Sequence, residues 1–175
     1  AGNNGCILHY IDNNKMSLKN DLVLMDLGAE YRGYTADVTR TIPANGKFSK
    51  EQKAIYDLVY EAQEAGIAQY VIGGKISTPA QTARKIVNEG LYKLGIIKSV
   101  DEKHSYWAHG TTHHIGLDVH DPRNSPIFLE NMVLTMEPGI YIPGFGGVRI
   151  EDMVVITPTG MTSLSTTPRS LLEIA

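Results

Sequence analysis

Residues 22–42 read LVLMDLGAEYRGYTADVTRTI, and this stretch decides the fold. Its two ends, residues 22–27 and 34–42, are rich in apolar and β-branched residues, which favour strands, and two glycines in the middle favour a turn. We therefore predict two antiparallel strands joined by a short connection. Asp26 and Asp37 then lie on neighbouring strands, one on each side of that connection.

A further strand is predicted upstream, at residues 6–11 (CILHYI). The intervening residues 12–21 (DNNKMSLKND) are rich in turn-forming types. Together with the two strands above, the strand at residues 6–11 is predicted to form an antiparallel meander.

Two helices follow. Ser49 and Gln52 form a capping-box pattern at the start of the first helix. The second begins at Thr78, where Gln81 completes another such pattern, and Gly95 is placed to end it. Both helices carry one apolar stripe, which is typical of helices that cover a sheet.

Short strands return after the helices, at residues 132–137, 139–142, 147–151 and 152–157. Strands, then two helices, then strands predict an α+β fold. The expected architecture is a curved, mostly antiparallel sheet with helices on one face, in one domain of 175 residues.

The bulk composition excludes several classes of protein. A net charge of −3 gives no basic surface for nucleic acid, and no apolar run approaches the roughly 20 residues of a membrane span. Cys6 is the single cysteine, so no internal disulfide can form. We therefore predict no nucleic-acid or membrane partner, and a reducing, cytoplasmic location.

Five residues in turn-forming or apolar segments predict a metal site: Asp26, Asp37, His113, Glu137 and Glu151. Two like charges 4 Å apart repel by about 4 kcal/mol at an effective dielectric near 20, so buried carboxylates gather only around cations. Oxygen ligands with one imidazole suit Mn, Fe, Co or Zn better than Mg. Such a set exceeds what one catalytic ion needs and predicts two ions with shared carboxylates.

Three histidines and an arginine extend this site. His109 and His120 share the segment of His113, and His9 lies in the first predicted strand. These imidazoles can bind substrate or donate a hydrogen bond to a developing oxyanion. Arg149 is two residues before Glu151, which on a strand puts both on one face and predicts that the arginine orients this glutamate.

Taken singly, each of these residues also fits a role in a metal-free α+β domain, as a turn residue, a structural histidine or an exposed ion pair. Their coincidence in five segments favours the metal site. In order, the segments MDLGAEYRGYTADVTRT, HGTTHHIGLDVHD, TMEPGIYIP and VRIED closely resemble the catalytic domain of Xaa-Pro aminopeptidases and Xaa-Pro dipeptidases. These are "pita-bread" metallopeptidases, and the resemblance runs over residues 5–160.

The resemblance implies the pita-bread fold and a role for each metal ligand. Asp26 would chelate one ion, Asp37 and Glu151 would bridge two, and His113 with Glu137 would complete the other. The two divalent ions are expected to be Mn, with Co, Zn and Fe as alternatives.

The resemblance also assigns the residues around the ions. His9 corresponds to a histidine near the scissile region, His109 to one that stabilises the tetrahedral intermediate, and His120 to one that contacts substrate. Arg149 corresponds to the arginine beside the bridging glutamate, and Tyr141 to a nearby tyrosine.

The implied reaction is hydrolysis of the bond between an N-terminal residue and a following proline, with Glu137 moving protons. Peptides with proline in second position are the expected substrates, and the expected assembly is a homo-oligomer. A dipeptidase and a non-catalytic binding module of the same fold remain alternatives. Complete ligands argue against creatinase, and the GLDVHD and ADVTRT segments argue against methionine aminopeptidase.

The resemblance finally predicts the domain organisation. Residues 1–175 would be a C-terminal catalytic domain that lacks the first part of the pita-bread fold and the N-terminal domain common in these peptidases.

Overall fold

A computed structural model describes residues 1–174. A short 3-10 helix, Gly2–Cys6, precedes the regular elements of this part of the chain. These are β1 (Leu22–Leu27), β2 (Glu30–Tyr31), β3 (Tyr34–Thr35), β4 (Val38–Pro43), α1 (Lys50–Ile67), α2 (Thr78–Lys93), β5 (Val133–Met136), β6 (Gly139–Ile142), β7 (Gly146–Arg149), β8 (Asp152–Thr157) and β9 (Gly160–Ser163).

All strand pairs in these elements are antiparallel: β1 with β4, β2 with β3, β6 with β7, and β8 with both β5 and β9. α1 packs against β5, β6 and β7, and α2 packs against α1. The predicted α+β class is therefore confirmed. Neither helix within residues 1–174 is long and apolar enough to cross a membrane.

The strand predicted at residues 34–42 is instead two strands, β3 and β4, with a break at Ala36 and Asp37. In the break, the Ala36 amide donates to the Ala29 carbonyl at 2.8 Å. Gly28 permits this approach, because a Cβ there would lie 1.7 Å from the Ala36 carbonyl oxygen. Asp37 therefore lies outside the ladder, and only Asp26 is on a strand.

The strand predicted at residues 6–11 is wrong. The chain forms the 3-10 helix and then turns, and it packs on β7 without joining a ladder. The contact is close, since a Cβ on Gly147 would lie 2.2 Å from the Gly5 carbonyl oxygen. Apolar composition suggested a strand here, but Ile7 and Ile11 are largely exposed, and the segment has no strand partner among residues 1–174.

The predicted start of α1 is confirmed, because Ser49 and Gln52 form a complete capping box. The capping box predicted for α2 is wrong. The N-cap is Ser77, in a helical conformation and without a side-chain cap, so Thr78 is already inside the helix. A capping box needs an N-cap residue with an extended backbone. Because Thr78 is itself helical, it cannot be that residue for Gln81.

The predicted end of α2 is confirmed at Gly95. Its φ of 71° is the left-handed conformation that glycine adopts without strain. The Ile96 amide donates to the Leu91 carbonyl, and the Gly95 amide donates to the Tyr92 carbonyl. These two bonds are the Schellman pattern, which satisfies the last carbonyl groups of the helix.

Replacing Gly28 by alanine tests the break between β3 and β4. We expect Gly28→Ala to lower the free energy of unfolding by about 2 kcal/mol or more, because overpacking against backbone cannot relax through a side chain. Urea denaturation measures this. Gly110→Ala is the matched control, since a Cβ at Gly110 meets nothing within 4 Å. Equal stability of the two variants would contradict the role of Gly28.

Candidate metal centre

One cavity of about 350 Å³ brings the predicted site residues together. Every member of the predicted set lines it: His9, Asp26, Asp37, His109, His113, His120, Glu137, Arg149 and Glu151. Leu8, Gly110 and Thr112 complete the lining. Residues that are up to 143 positions apart in the chain therefore face one small volume.

The acidic residues reach the cavity mostly from positions where a strand has stopped. Asp26 lies on β1, Asp37 in the break before β4, Glu137 directly after β5, and Glu151 between β7 and β8. Outside a ladder, the side chains do not have to alternate between two faces. The breaks therefore allow three carboxylates from separate strands to converge.

His113 lies at the centre of these carboxylates. Its Nδ1 is 3.0 Å from the carbonyl oxygen of His114, so this nitrogen carries the proton and donates. Nε2 therefore faces the cavity and can offer its lone pair to an ion once it has lost its proton.

Three carboxylate oxygens surround that Nε2. It is 3.7 Å from Asp37 Oδ2, 3.6 Å from Glu137 Oε1 and 3.8 Å from Glu151 Oε1. These distances are too long for good hydrogen bonds. Ligands about 2.1 Å from one ion lie roughly 3–3.5 Å apart, so the spacing is close to that of atoms sharing a cation.

Glu151 provides the test of whether a cation fits. Its Oε2 accepts a 2.7 Å hydrogen bond from Thr39 Oγ1. Its Oε1 is buried and has no hydrogen-bond partner among residues 1–174. A buried carboxylate oxygen without a partner is costly, whereas a cation beside it removes the cost.

Asp37, His113 and Glu151 offer ligand atoms that all lie within 4.8 Å of one another. Two oxygens and an imidazole nitrogen are the donor types that first-row divalent ions accept. The residues present therefore fit such an ion.

The electrostatics of the cluster agree with this fit. Burial and the nearby carboxylate of Glu151 raise the pKa of Asp37 to about 7. Burial and Glu151 likewise raise the pKa of Glu137 to about 8. Burial disfavours charged His113, but the nearby Glu151 carboxylate, the hydrogen bond to the His114 carbonyl and the charge of Glu137 outweigh this and raise its pKa to about 9. Without a cation, the cluster therefore holds protons at neutral pH.

Asp26 has a different environment. Its side chain is 39% exposed, and its Oδ2 accepts a 2.7 Å hydrogen bond from Arg149 Nη2. Arg149 also donates to Thr39 Oγ1 and to the Tyr141 hydroxyl. It reaches Glu151 through Thr39, whose hydroxyl accepts from Arg149 and donates to Glu151.

Two of the other cavity histidines, His109 and His120, favour the neutral form. Burial lowers the pKa of His109, whose Nδ1 is 2.5 Å from the Gly110 carbonyl oxygen and whose Nε2 is 2.6 Å from the Tyr141 hydroxyl. Burial and the proximity of His113 lower the pKa of His120, and the two rings meet edge-on at 4.4 Å. His9 enters the cavity from the loop that was predicted to be a strand.

Sequence reasoning missed Thr39. Its hydroxyl donates to Glu151 and accepts from Arg149, so it joins the two sides of the cavity. Its position, two residues after Asp37, was the one available signal.

The chain matches the model of metallopeptidase family M24 over residues 1–158. This match covers most of the chain, so the chain belongs to this family of metallopeptidases.

Proteins and solved structures similar to this chain are named Xaa-Pro aminopeptidase or aminopeptidase P. The Xaa-Pro aminopeptidase of Escherichia coli is 43% identical over 94% of this chain and 42% of its own length, and that of Haemophilus influenzae is 40% identical over 99% and 46%. The structure of zinc-substituted E. coli aminopeptidase P in complex with product matches with a TM-score of 0.89, at 44% identity over 94% of this chain and 42% of that one. The implied pita-bread fold is thereby confirmed. The chain spans less than half the length of these relatives.

The raised pKa values predict how the metal-free protein responds to pH. Asp37, Glu137 and His113 have ordinary pKa values of 3.8, 4.5 and 6.5, and all three are higher in the folded protein. Folding therefore takes up protons, so their stabilisation is complete at low pH and is lost as pH rises through about 7 to 9. We expect the melting temperature in chelator to fall between about pH 5 and pH 9.

Differential scanning fluorimetry across this range measures the effect. Asp37→Asn should flatten the fall, whereas Asp101→Asn, at an exposed position, should not change it. A saturating divalent ion replaces the protons and should remove most of the loss. A melting temperature that rises with pH in chelator would contradict the protonated cluster.

Proposed function

We propose that this chain forms the catalytic centre of an Xaa-Pro aminopeptidase, which hydrolyses the bond between an N-terminal residue and a following proline. The observation that carries the proposal is the unpartnered oxygen of Glu151, facing His113 in a cavity lined by the whole predicted set. The relatives named Xaa-Pro aminopeptidase, at about 40% identity, support it.

We propose two divalent ions. Asp37, His113, Glu137 and Glu151 would hold the first, and Asp26 would hold the second together with shared oxygens of Asp37 and Glu151. Bound ions of this kind polarise a substrate carbonyl and lower the pKa of water. Asp26 would have to exchange its bond to Arg149 for an ion.

The proposed metal is Mn, with Co, Zn and Fe as alternatives, because oxygen-rich sites with one imidazole accept all four. Zinc is present in the substituted E. coli structure.

Glu137 is the proposed proton carrier. Its carboxylate lines the cavity 3.6 Å from His113 Nε2, where it would take a proton from the attacking water and later give it up. The acceptor is the proline nitrogen, which has no N–H and leaves only when protonated.

The remaining cavity histidines have a separate proposed role. His109 would donate a hydrogen bond to the developing oxyanion, for which its ring would have to exchange its contact with Gly110 or Tyr141. His9 and His120 would contact the peptide on either side of the scissile bond.

Other parts of the proposal concern the whole protein. Cytoplasmic location, supported by the single cysteine, assembly as a homo-oligomer, and the assignment of residues 1–175 as a C-terminal catalytic domain remain predictions.

Replacing Glu137 tests the chemical step. We expect Glu137→Gln in the intact protein to lower kcat on a tripeptide with proline second by about 100-fold or more, because general acid–base catalysis contributes about 10²–10⁴-fold. Glu130→Gln, an exposed carboxylate, is the matched control and should leave kcat unchanged. Full activity of the Glu137 variant would exclude the proposed role.

Substrate length separates the two peptidase readings. An aminopeptidase should cleave both Xaa-Pro dipeptides and longer peptides. Mass spectrometry of the released N-terminal residue measures the cleavage of each. Cleavage of dipeptides alone would identify a dipeptidase. A protein that binds a partner equally well after Asp37→Ala, and cleaves none of these peptides, would be a binding module.

Metal stoichiometry tests the second ion. Elemental analysis of the intact protein should give two equivalents of divalent metal, and Asp26→Asn should reduce this to about one, because Asp26 serves the second ion alone. A single equivalent in the unchanged protein would refute the dinuclear centre.

A further inference from the structure

Glu151 lies in a segment whose backbone is held by side chains. Residues 150 and 151 belong to neither β7 nor β8. The Glu151 amide donates to the Thr39 carbonyl at 3.0 Å, and the Glu151 carbonyl accepts from Arg40 Nη1 at 2.6 Å. The Ile150 carbonyl accepts from Gln63 Nε2 at 3.2 Å. The position of this ligand therefore depends on Arg40 and Gln63.

Arg40 is buried, only 4% exposed, and uses all five of its N–H donors. It donates to the side chain of Asp152 and to the carbonyl groups of Thr39, Glu151, Thr167 and Pro168. A planar guanidinium is required for this pattern, because a lysine has three donors and no fork. Arg40 thus joins the two sides of the metal cavity and the segment that follows β9.

Asp152 completes the ion pair. Its Oδ1 accepts from Arg40 Nη2 at 2.6 Å, and its Oδ2 accepts from Gln63 Nε2 at 3.0 Å. A buried ion pair gives little net stability, because desolvation offsets the attraction. A role in holding geometry accounts for it better than a role in stabilising the fold.

Gln63 connects the two glutamates of the site. From α1, its Nε2 lies 3.1 Å from the carbonyl oxygen of Met136, the residue before Glu137, and also contacts the carbonyl of Ile150, the residue before Glu151. One amide group therefore spaces the two segments that present these carboxylates.

We propose that Arg40, Asp152 and Gln63 form a buried positioning network that sets the metal affinity of the site without touching the ion. The network fixes the backbone on both sides of the cavity, so that Glu151 and Glu137 converge on His113. This inference rests on the proposed metal centre. Its members are positioning residues, which act through Glu151, Glu137 and Thr39.

Metal affinity in variants of the intact protein tests the network. Mn²⁺ binding is measured by isothermal titration calorimetry, and the spectrum of bound Mn²⁺ by electron paramagnetic resonance. We expect Arg40→Lys and Gln63→Met to weaken binding by about 10–100-fold, as loss of groups behind metal ligands does. The altered symmetry of the site should also change the spectrum.

Leu91→Ala is the matched control for lost stability. Leu91 is fully buried on α2 and makes no contact with the network's hydrogen bonds. This variant should bind Mn²⁺ within about threefold of the unchanged protein at a temperature where both are folded. Gln63→Met keeps the side-chain volume and introduces no charge, so it serves if Arg40→Lys fails to fold.

The outcomes separate the two proposals. If the unchanged protein binds no divalent ion, the proposed function fails, and this inference fails with it. If it binds Mn²⁺ and both network variants bind equally well, only the positioning network is refuted. An equal loss of affinity in Leu91→Ala would also refute it, because general instability would then explain the effect.

Discussion

Mutual repulsion of carboxylates in a buried cavity is the constraint on which this structure depends. Asp37, Glu137 and Glu151 converge on His113, and burial among these groups raises the pKa values of Asp37, Glu137 and His113. The effect is clearest at Glu151, because its buried Oε1 has no hydrogen-bond partner among residues 1–174. Gathering buried carboxylates lowers the stability of the protein unless a cation compensates their charge. A divalent ion would do so, which agrees with the match to metallopeptidase family M24.

The fold meets this constraint by interrupting its strands. Asp37 lies in the break before β4, Glu137 follows β5, and Glu151 falls between β7 and β8. A ligand inside a regular ladder would have its direction set by the alternation of the strand, whereas a ligand in a break can turn toward the ion. The backbone in these breaks then needs other partners, and around Glu151 the side chains of Arg40 and Gln63 and the carbonyl group of Thr39 supply them.

Much of the fold followed from local signals. The capping box at Ser49, the left-handed Gly95 and the apolar run of β1 were all predicted, because each depends on a few neighbouring residues. The strand at residues 6–11, the continuous strand at 34–42 and the capping box of α2 were wrong. Each of these depends on partners distant in the chain, or on a backbone conformation that composition does not determine.

The sequence by itself determined the chemistry of the site: its carboxylates, its histidines and Arg149 are residue types in motifs, and all of them line one cavity. Tertiary structure decided which atoms meet. It paired Arg149 with Asp26, placed Thr39 between Arg149 and Glu151, and held Glu151 from behind through Arg40 and Gln63. These contacts join residues more than 80 positions apart, and no local pattern encodes them, because they arise only when separate strands end at the same place.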